Sequence, residues 1–440
     1  MFKYLLADSR PFQREKTLHW PQSQSRVAAS VPVKPKSRPL PTIANALADF
    51  ELLEEWSEVG SEELQDLLLG TENCGCCSLY AVDCVEHWLY FVFTKPEDVE
   101  SVYRAPFLYG GQQMNADKLI RCPVETAQDI VSQRVVKSIN LPRLSFIFGV
   151  PRSGTTLLCK IVHAAGAYFQ NDLRIVSLSE PDVLSELVRV RSPGGSNDDL
   201  IVDYLELMLP WICRGLDGAS LIPLLQGDAQ KDPPTVFVIK PRSEVSHIID
   251  LIQRAYSRLV AGKWIQHDTA ERTIPCIVSL RQCSGVVKSM AKLMSRDIQQ
   301  AMALTLEEGT VEDLKRQIPV LARQYSQQDE MDETVVSGIE IVTGMWCSCV
   351  ESCEKYVANH SSVTVQYDEW SRDPRNHIDT MLRHLKCTIT ETDEALIEAC
   401  LKAMDEDSQA GTNMSGQGRT LQNWTAEHDE DVERALAKMR

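Results

Sequence analysis

The sequence contains no run of eighteen apolar residues, which leaves no candidate for a membrane-spanning helix or signal anchor. Its first residues, MFKYLLADSRPFQREK, lack the unbroken apolar stretch of a secretory signal, because Asp8 and Arg10 interrupt it. A soluble, cytoplasmic protein is therefore expected. Basic residues are in deficit: 45 Lys and Arg face 62 Asp and Glu, a formal net charge of −17. That balance argues against a nucleic-acid binder, since phosphate backbones are gripped by clustered Lys and Arg. Internal repeats are missing, and so is paired zinc-ligand spacing. Cys74, Cys76, Cys77 and Cys84 are close in sequence, but no second C-x₂-C pair follows them, and a packed turn is the plainer reading. No metal is expected. The 14 cysteines are otherwise scattered through apolar patterns, as reduced buried thiols are. Apolar residues, at 43% of 440, suffice for a sizeable core in two or three domains, or in one large α/β domain with extensions.

Within this background, FGVPRSGTTLL at Phe148–Leu158 stands out. Leu144–Phe148 reads as a buried strand, and Leu157, Leu158, Ile161, Val162 and Ala165 mark one face of a following helix. Gly149 and Gly154 have the five-residue separation of the glycines in G-x-x-x-x-G-K-[ST]. N–H groups at the start of that helix, aided by its dipole, would hold an anion. The lysine that reaches the β/γ-phosphates in nucleotide triphosphatases is replaced by Thr155, and the cation sits earlier, at Arg152. The loop is suited to a phosphate carrying a smaller transferable group.

Residues 21–42, rich in Pro, Ser and basic side chains, read as a disordered or extended arm within an N-terminal segment 1–42. Residues 43–140 read as an α/β extension, with one or two helices over Ile43–Leu69, a strand at Trp88–Phe93 and a short helix at Pro96–Val102. Residues 141–440 form the main domain. There, strands at Thr235–Ile239, Ile274–Leu280 and Val363–Tyr367 alternate with helices at Ser246–Val260, Gly285–Ala303, Val311–Gln324 and Gly338–Val357, which predicts a mostly parallel central sheet flanked by helices. The stripe Ile339, Val342, Trp346, Cys349, Cys353, Val357 in the last helix reads as core.

Each of these strands ends on a polar residue: Lys240, Arg281 and Tyr367. Ligands of open parallel sheets bind outside the carboxyl ends of the strands, so these residues are expected to converge on the anion held by the loop. Arg281, with Ser289 eight residues on in the next helix, makes a second anion cradle: a guanidinium fork suits a phosphate monoester and a hydroxyl completes it. Two cradles imply a donor phosphorylated at two places.

These residues together resemble the sulfotransferase family, which uses 3′-phosphoadenosine 5′-phosphosulfate. Pro151–Thr156 is similar to the family's 5′-phosphosulfate loop, Arg281 with Ser289 to its 3′-phosphate site, and VQYDEWSRDPRNHIDTMLRHL at Val365–Leu385 to the segment whose tyrosine lies near the adenine. GQGRTLQNW at Gly416–Trp424 resembles the C-terminal loop that closes over the 3′ end. The resemblance implies a donor held by Arg152, Ser153, Gly154, Thr155, Thr156, Arg281, Ser289, Tyr367 and Arg419, with Arg152 and Lys240 stabilising charge during sulfuryl transfer to a hydroxyl or amine. The acceptor would be a small molecule, carbohydrate or peptide. The chain departs from the cytosolic small-molecule branch in having Arg152 for Lys, Leu157 for Trp, and Lys240-Pro241-Arg242-Ser243 where a strand end carries the basic His. Glu180, in SLSEPDVL, is the expected general base, ahead of His247 and Asp172. A non-catalytic binder of the bisphosphate nucleotide is the alternative, and a nucleotide kinase or triphosphatase is disfavoured by Thr155.

Overall fold

The computed structural model describes residues 26–37, 43–69, 76–134, 143–169, 173–192, 194–213, 235–262, 273–294, 303–305, 335–360, 362–388, 394–405 and 423–439. The first half is built on an antiparallel sheet. Its strands are β1 (Ala29–Pro35), β2 (Phe50–Leu52), β3 (Ser57–Glu58), β4 (Cys76–Asp83), β5 (Trp88–Thr94) and β6 (Ala116–Pro123). They are ordered β2-β1-β6-β5-β4, with β3 also paired to β1. Ala29–Pro35 corrects the reading of residues 21–42 as an arm: Val31 and Val33 alternate inward and pack with Phe50, Tyr80 and Val92. Pro32 and Pro35 masked that period; Pro32 sits where β1 changes partner from β6 to β2, and Pro35 is its last residue. The stretch expected to be helical at Ile43–Leu69 holds β2 and β3 as well as helices Ala46–Asp49 and Ser61–Leu69.

The second half is a five-stranded sheet in which every pairing is parallel, consistent with alternating strands and helices. Its strands are β7 (Arg143–Gly149), β8 (Arg174–Ser179), β9 (Thr235–Lys240), β10 (Cys276–Leu280) and, after a two-stranded ribbon of β11 (Ala303–Thr305) and β12 (Val335–Ser337), β13 (Val363–Gln366). The order is β13-β10-β7-β9-β8. Both faces are covered, which is why the strands read as unbroken apolar runs. Ile147, Val236, Val238 and Ile277 pack on the helices Thr155–Phe169, Pro374–His384 and Glu394–Met404. Phe146, Phe148, Phe237 and Val278 belong to the opposite core, with the helices Asp198–Ile212 and Ile249–Ala261.

That second core also contains Leu79, Leu89, Phe91 and Ile120, so the two sheets share one apolar interior. Phe91 of β5 meets Trp211 edge-on at 5.2 Å, and buried His87 Nδ1 lies 2.8 Å from the Tyr204 hydroxyl. In the helix Gly338–Asn359, Ile339, Val342, Cys349 and Cys353 are buried as core, and Ser337 with Glu340 forms a reciprocal cap. The expected helix at Gly285–Ala303 starts at Cys283 and is described to Met294, while Ala303 belongs to β11. Val311–Gln324 lies outside the described residues. None of the described helices is long and apolar enough to cross a membrane.

Candidate active site

The carboxyl ends of the parallel strands meet at one edge, and β7 supplies the loop. A β carbon on Gly149 would come within 2.5 Å of the Ser279 carbonyl oxygen, so glycine is what lets β7 and β10 close together there. The chain then turns through Arg152 (φ 60°) and Gly154 (φ 77°) into the helix that begins at Thr155. Ser153 is fully buried. Its hydroxyl donates to the Val150 carbonyl at 2.8 Å, closing the turn, and the Ser279 hydroxyl donates to the Ser153 carbonyl at 2.7 Å. The first N–H groups of the helix have no partner within it, and Thr155 and Thr156 stand at that end.

The second cradle lies against the first. Arg152 Nε donates to Ser289 Oγ at 3.0 Å, and an Nη1 hydrogen of Arg281 is donated to the Arg152 carbonyl at 3.0 Å. Residues 137 and 129 positions apart in sequence thus touch. The Arg281 carbonyl accepts from Trp346 Nε1 at 2.7 Å, which anchors the end of β10. The Arg281 guanidinium lies over the Tyr367 ring at 4.6 Å, with Asp368 at 3.8 Å. The buried Nε of Arg281 has no hydrogen-bond partner among the described residues. A buried donor left without an acceptor is costly, and an anion at this spot would satisfy it. Tyr367 opens the helical turn Tyr367–Trp370 one residue after β13 and faces Gly154.

Gly154→Ala tests this packing. Alanine would be held at a positive φ with its methyl group against the Tyr367 ring, for an expected destabilisation of about 1–3 kcal/mol. Tyr367→Ala should relieve the steric part, and urea denaturation of the double-mutant cycle should show a coupling of about 1 kcal/mol.

On the other side of β7, Lys240 ends β9 and is ion-paired with Glu180, which follows β8. The Glu180 N–H donates to the Lys240 carbonyl at 2.6 Å, and Glu180 itself has φ 56°. A non-glycine residue in that region is strained, and such strain gathers at functional sites. Two residues beyond each partner comes a second pair, Asp182 and Arg242, at 2.5 Å. Arg242 Nε also lies 3.8 Å from Glu180. Burial works against the Arg242 charge, but Asp182, Tyr109, Glu244 and Glu180 outweigh it and hold its pKa above the ordinary value. Burial raises the pKa of Glu244 despite Arg242 nearby. The antiparallel half reaches this ionic cluster directly: the Ala44 N–H donates to Asp182 at 2.8 Å, and Arg242 lies over Tyr109 at 4.9 Å.

The structure therefore brings Arg152, Arg281, Ser289 and Tyr367 together around the loop, and pairs Glu180 with Lys240. His247 is turned towards Ser352, at 3.2 Å. Asp172 and Arg419 lie outside the described residues, as do Cys74 and most of Gly416–Trp424. Cys77 and Cys84 are buried, and the described residues contain no group of three or more His, Cys, Asp or Glu able to hold a metal ion. The Asp182–Arg242 pair escaped sequence reasoning, although its signal is present. Glu180-x-Asp182 and Lys240-x-Arg242 follow strands in register, Ser179 opposite Lys240, with opposite charges at the same spacing.

No family model matches the sequence, and no curated protein matches it. Solved structures similar to the chain include a sulfotransferase domain from the Synechococcus PCC 7002 olefin synthase, with 14% identity, 69% of this chain and 98% of that one covered, and a TM-score of 0.27. Retinol dehydratase in complex with androsterone and the inactive cofactor PAP gives 12% identity over 70% and 84% of the two chains, with a TM-score of 0.28. The sulfotransferase STF1 from Mycobacterium tuberculosis H37Rv gives 15% identity over 71% and 80%, with a TM-score of 0.31. At these low identities and TM-scores, the chain is similar to solved sulfotransferase structures, and the contacts around its own loop carry the functional assignment.

Proposed function

We propose that the protein transfers a sulfuryl group from 3′-phosphoadenosine 5′-phosphosulfate to a hydroxyl or amine. One observation carries the reading: Arg152, Ser289 and Arg281 form a continuous hydrogen-bonded chain between the two cradles. A single doubly phosphorylated nucleotide can then be held at both phosphates. The fit is supported by the Nε of Arg281, which makes no hydrogen bond and has Asp368 at 3.8 Å, and by the helix start at Thr155.

In this reading the loop N–H groups, Thr155 and Thr156 hold the 5′-phosphate, and Arg281 with Ser289 holds the 3′-phosphate. Tyr367 packs by the nucleoside. Arg152 and Lys240 offset the negative charge that develops on the oxygen leaving sulfur, an electrostatic role worth most in a partly buried site. Glu180 takes the acceptor proton, so that one S–O bond forms as another breaks and the proton is retained on the carboxylate. Bound, the donor supplies the sulfuryl group.

Calorimetry with adenosine 3′,5′-bisphosphate, adenosine 5′-phosphate and ATP–magnesium tests the donor assignment. The bisphosphate is expected to bind at least tenfold tighter than either alternative. Tightest binding by ATP–magnesium would transfer the site to the nucleotide kinase or triphosphatase class. Bisphosphate binding without transfer of label from radiolabelled donor to any acceptor class would favour a non-catalytic binder.

A further inference from the structure

A cavity of about 410 Å³ opens between the helix Thr155–Phe169, β8 and the segment 102–108 of the antiparallel half. Thr156, Cys159, Lys160 and His163 line it from one face of the helix, at positions that share a face by helical periodicity. Ser177 and Ser179 line it from β8. One end is lined by Thr156, in the first turn of the helix that follows the loop, and by Ser179, the residue before Glu180. Its outer end carries Lys160, His163, whose pKa burial lowers, and Arg104, the last paired with Glu100 at 2.8 Å. In a chain where acidic residues outnumber basic ones 62 to 45, the described lining of this cavity contains no carboxylate.

We propose that this cavity is the acceptor subsite and that it takes a small hydroxylated molecule bearing an anionic group, with the hydroxyl at the Thr156–Ser179 end and the anion at Lys160. The assignment rests on the sulfuryl-transfer reading above. Helical rise sets the separation: Lys160 and His163 lie about 6 and 10 Å along the axis from Thr156. A volume of this size encloses a small molecule rather than a folded partner. Segment 102–108 forms one wall, so the antiparallel half takes part in choosing the acceptor.

The test is equilibrium binding of two matched probes, 3-(4-hydroxyphenyl)propionate and its neutral amide, to protein saturated with adenosine 3′,5′-bisphosphate. The carboxylate probe is expected to bind at least tenfold tighter than the amide. Lys160→Met should erase that preference, Lys160→Arg should retain it, and neither should alter affinity for the bisphosphate. Equal binding of the two probes, binding of neither, or a preference that survives Lys160→Met would each overturn the assignment. Failure of the bisphosphate itself to bind would instead count against the sulfuryl-transfer reading.

Discussion

Glu180→Gln is expected to lower the rate of sulfuryl transfer by about 10²–10⁴-fold, the range of a lost general base, while donor affinity changes by less than about twofold. The substitution keeps the shape of the side chain and leaves an oxygen to accept from Lys240. It removes the ability to take a proton. The positive φ, the N–H bond to the Lys240 carbonyl and the pairing with Lys240 together fix where that carboxylate points. Single-turnover measurement with saturating donor separates the outcomes. An unchanged rate would remove Glu180 from the chemistry. A large fall in donor affinity with little change in rate would make it a positioning residue for Lys240.

For Arg281→Ala, affinity for adenosine 3′,5′-bisphosphate should fall by about 100-fold, against a few-fold for adenosine 5′-phosphate. A charge-assisted contact to a phosphate is worth about 1.5–3 kcal/mol, which spans that loss. The difference between the two nucleotides isolates the 3′-phosphate. Some loss is expected even for the 5′-monophosphate, because Arg281 also holds the Arg152 carbonyl and lies over Tyr367. Arg281→Lys should fall between the two, as it keeps the charge but not the fork. Equal losses for the two nucleotides by calorimetry would dismiss the second cradle.

The parallel sheet was legible because its strands are covered on both faces and read as apolar runs, as in TVFVI at Thr235–Ile239 and LSFIF at Leu144–Phe148. The edge strand β8 was not: Arg174, Ser177 and Ser179 break its pattern because an edge beside a cavity need not be apolar. Missing that strand left Glu180 without a structural address, although its setting before Pro181 marked it as a candidate. A parallel sheet places every carboxyl end on the same side, and of the polar strand ends Arg281 and Tyr367 meet the loop while Lys240 pairs with Glu180. What sequence could not give was the contact between Arg152 and Ser289, which depends on β7 and β10 being neighbours. β1 was concealed by composition, its prolines and serine outweighing the two-residue alternation of its valines.

The bond from Ala44 to Asp182 ties the segment ahead of β2 to the ionic cluster at the end of the parallel sheet. Lifting that segment strips a donor from a carboxylate that has almost no access to water, and water would have to enter to replace it. The segment ahead of β2 is therefore joined, through Asp182, to the turn that carries Glu180 two residues earlier.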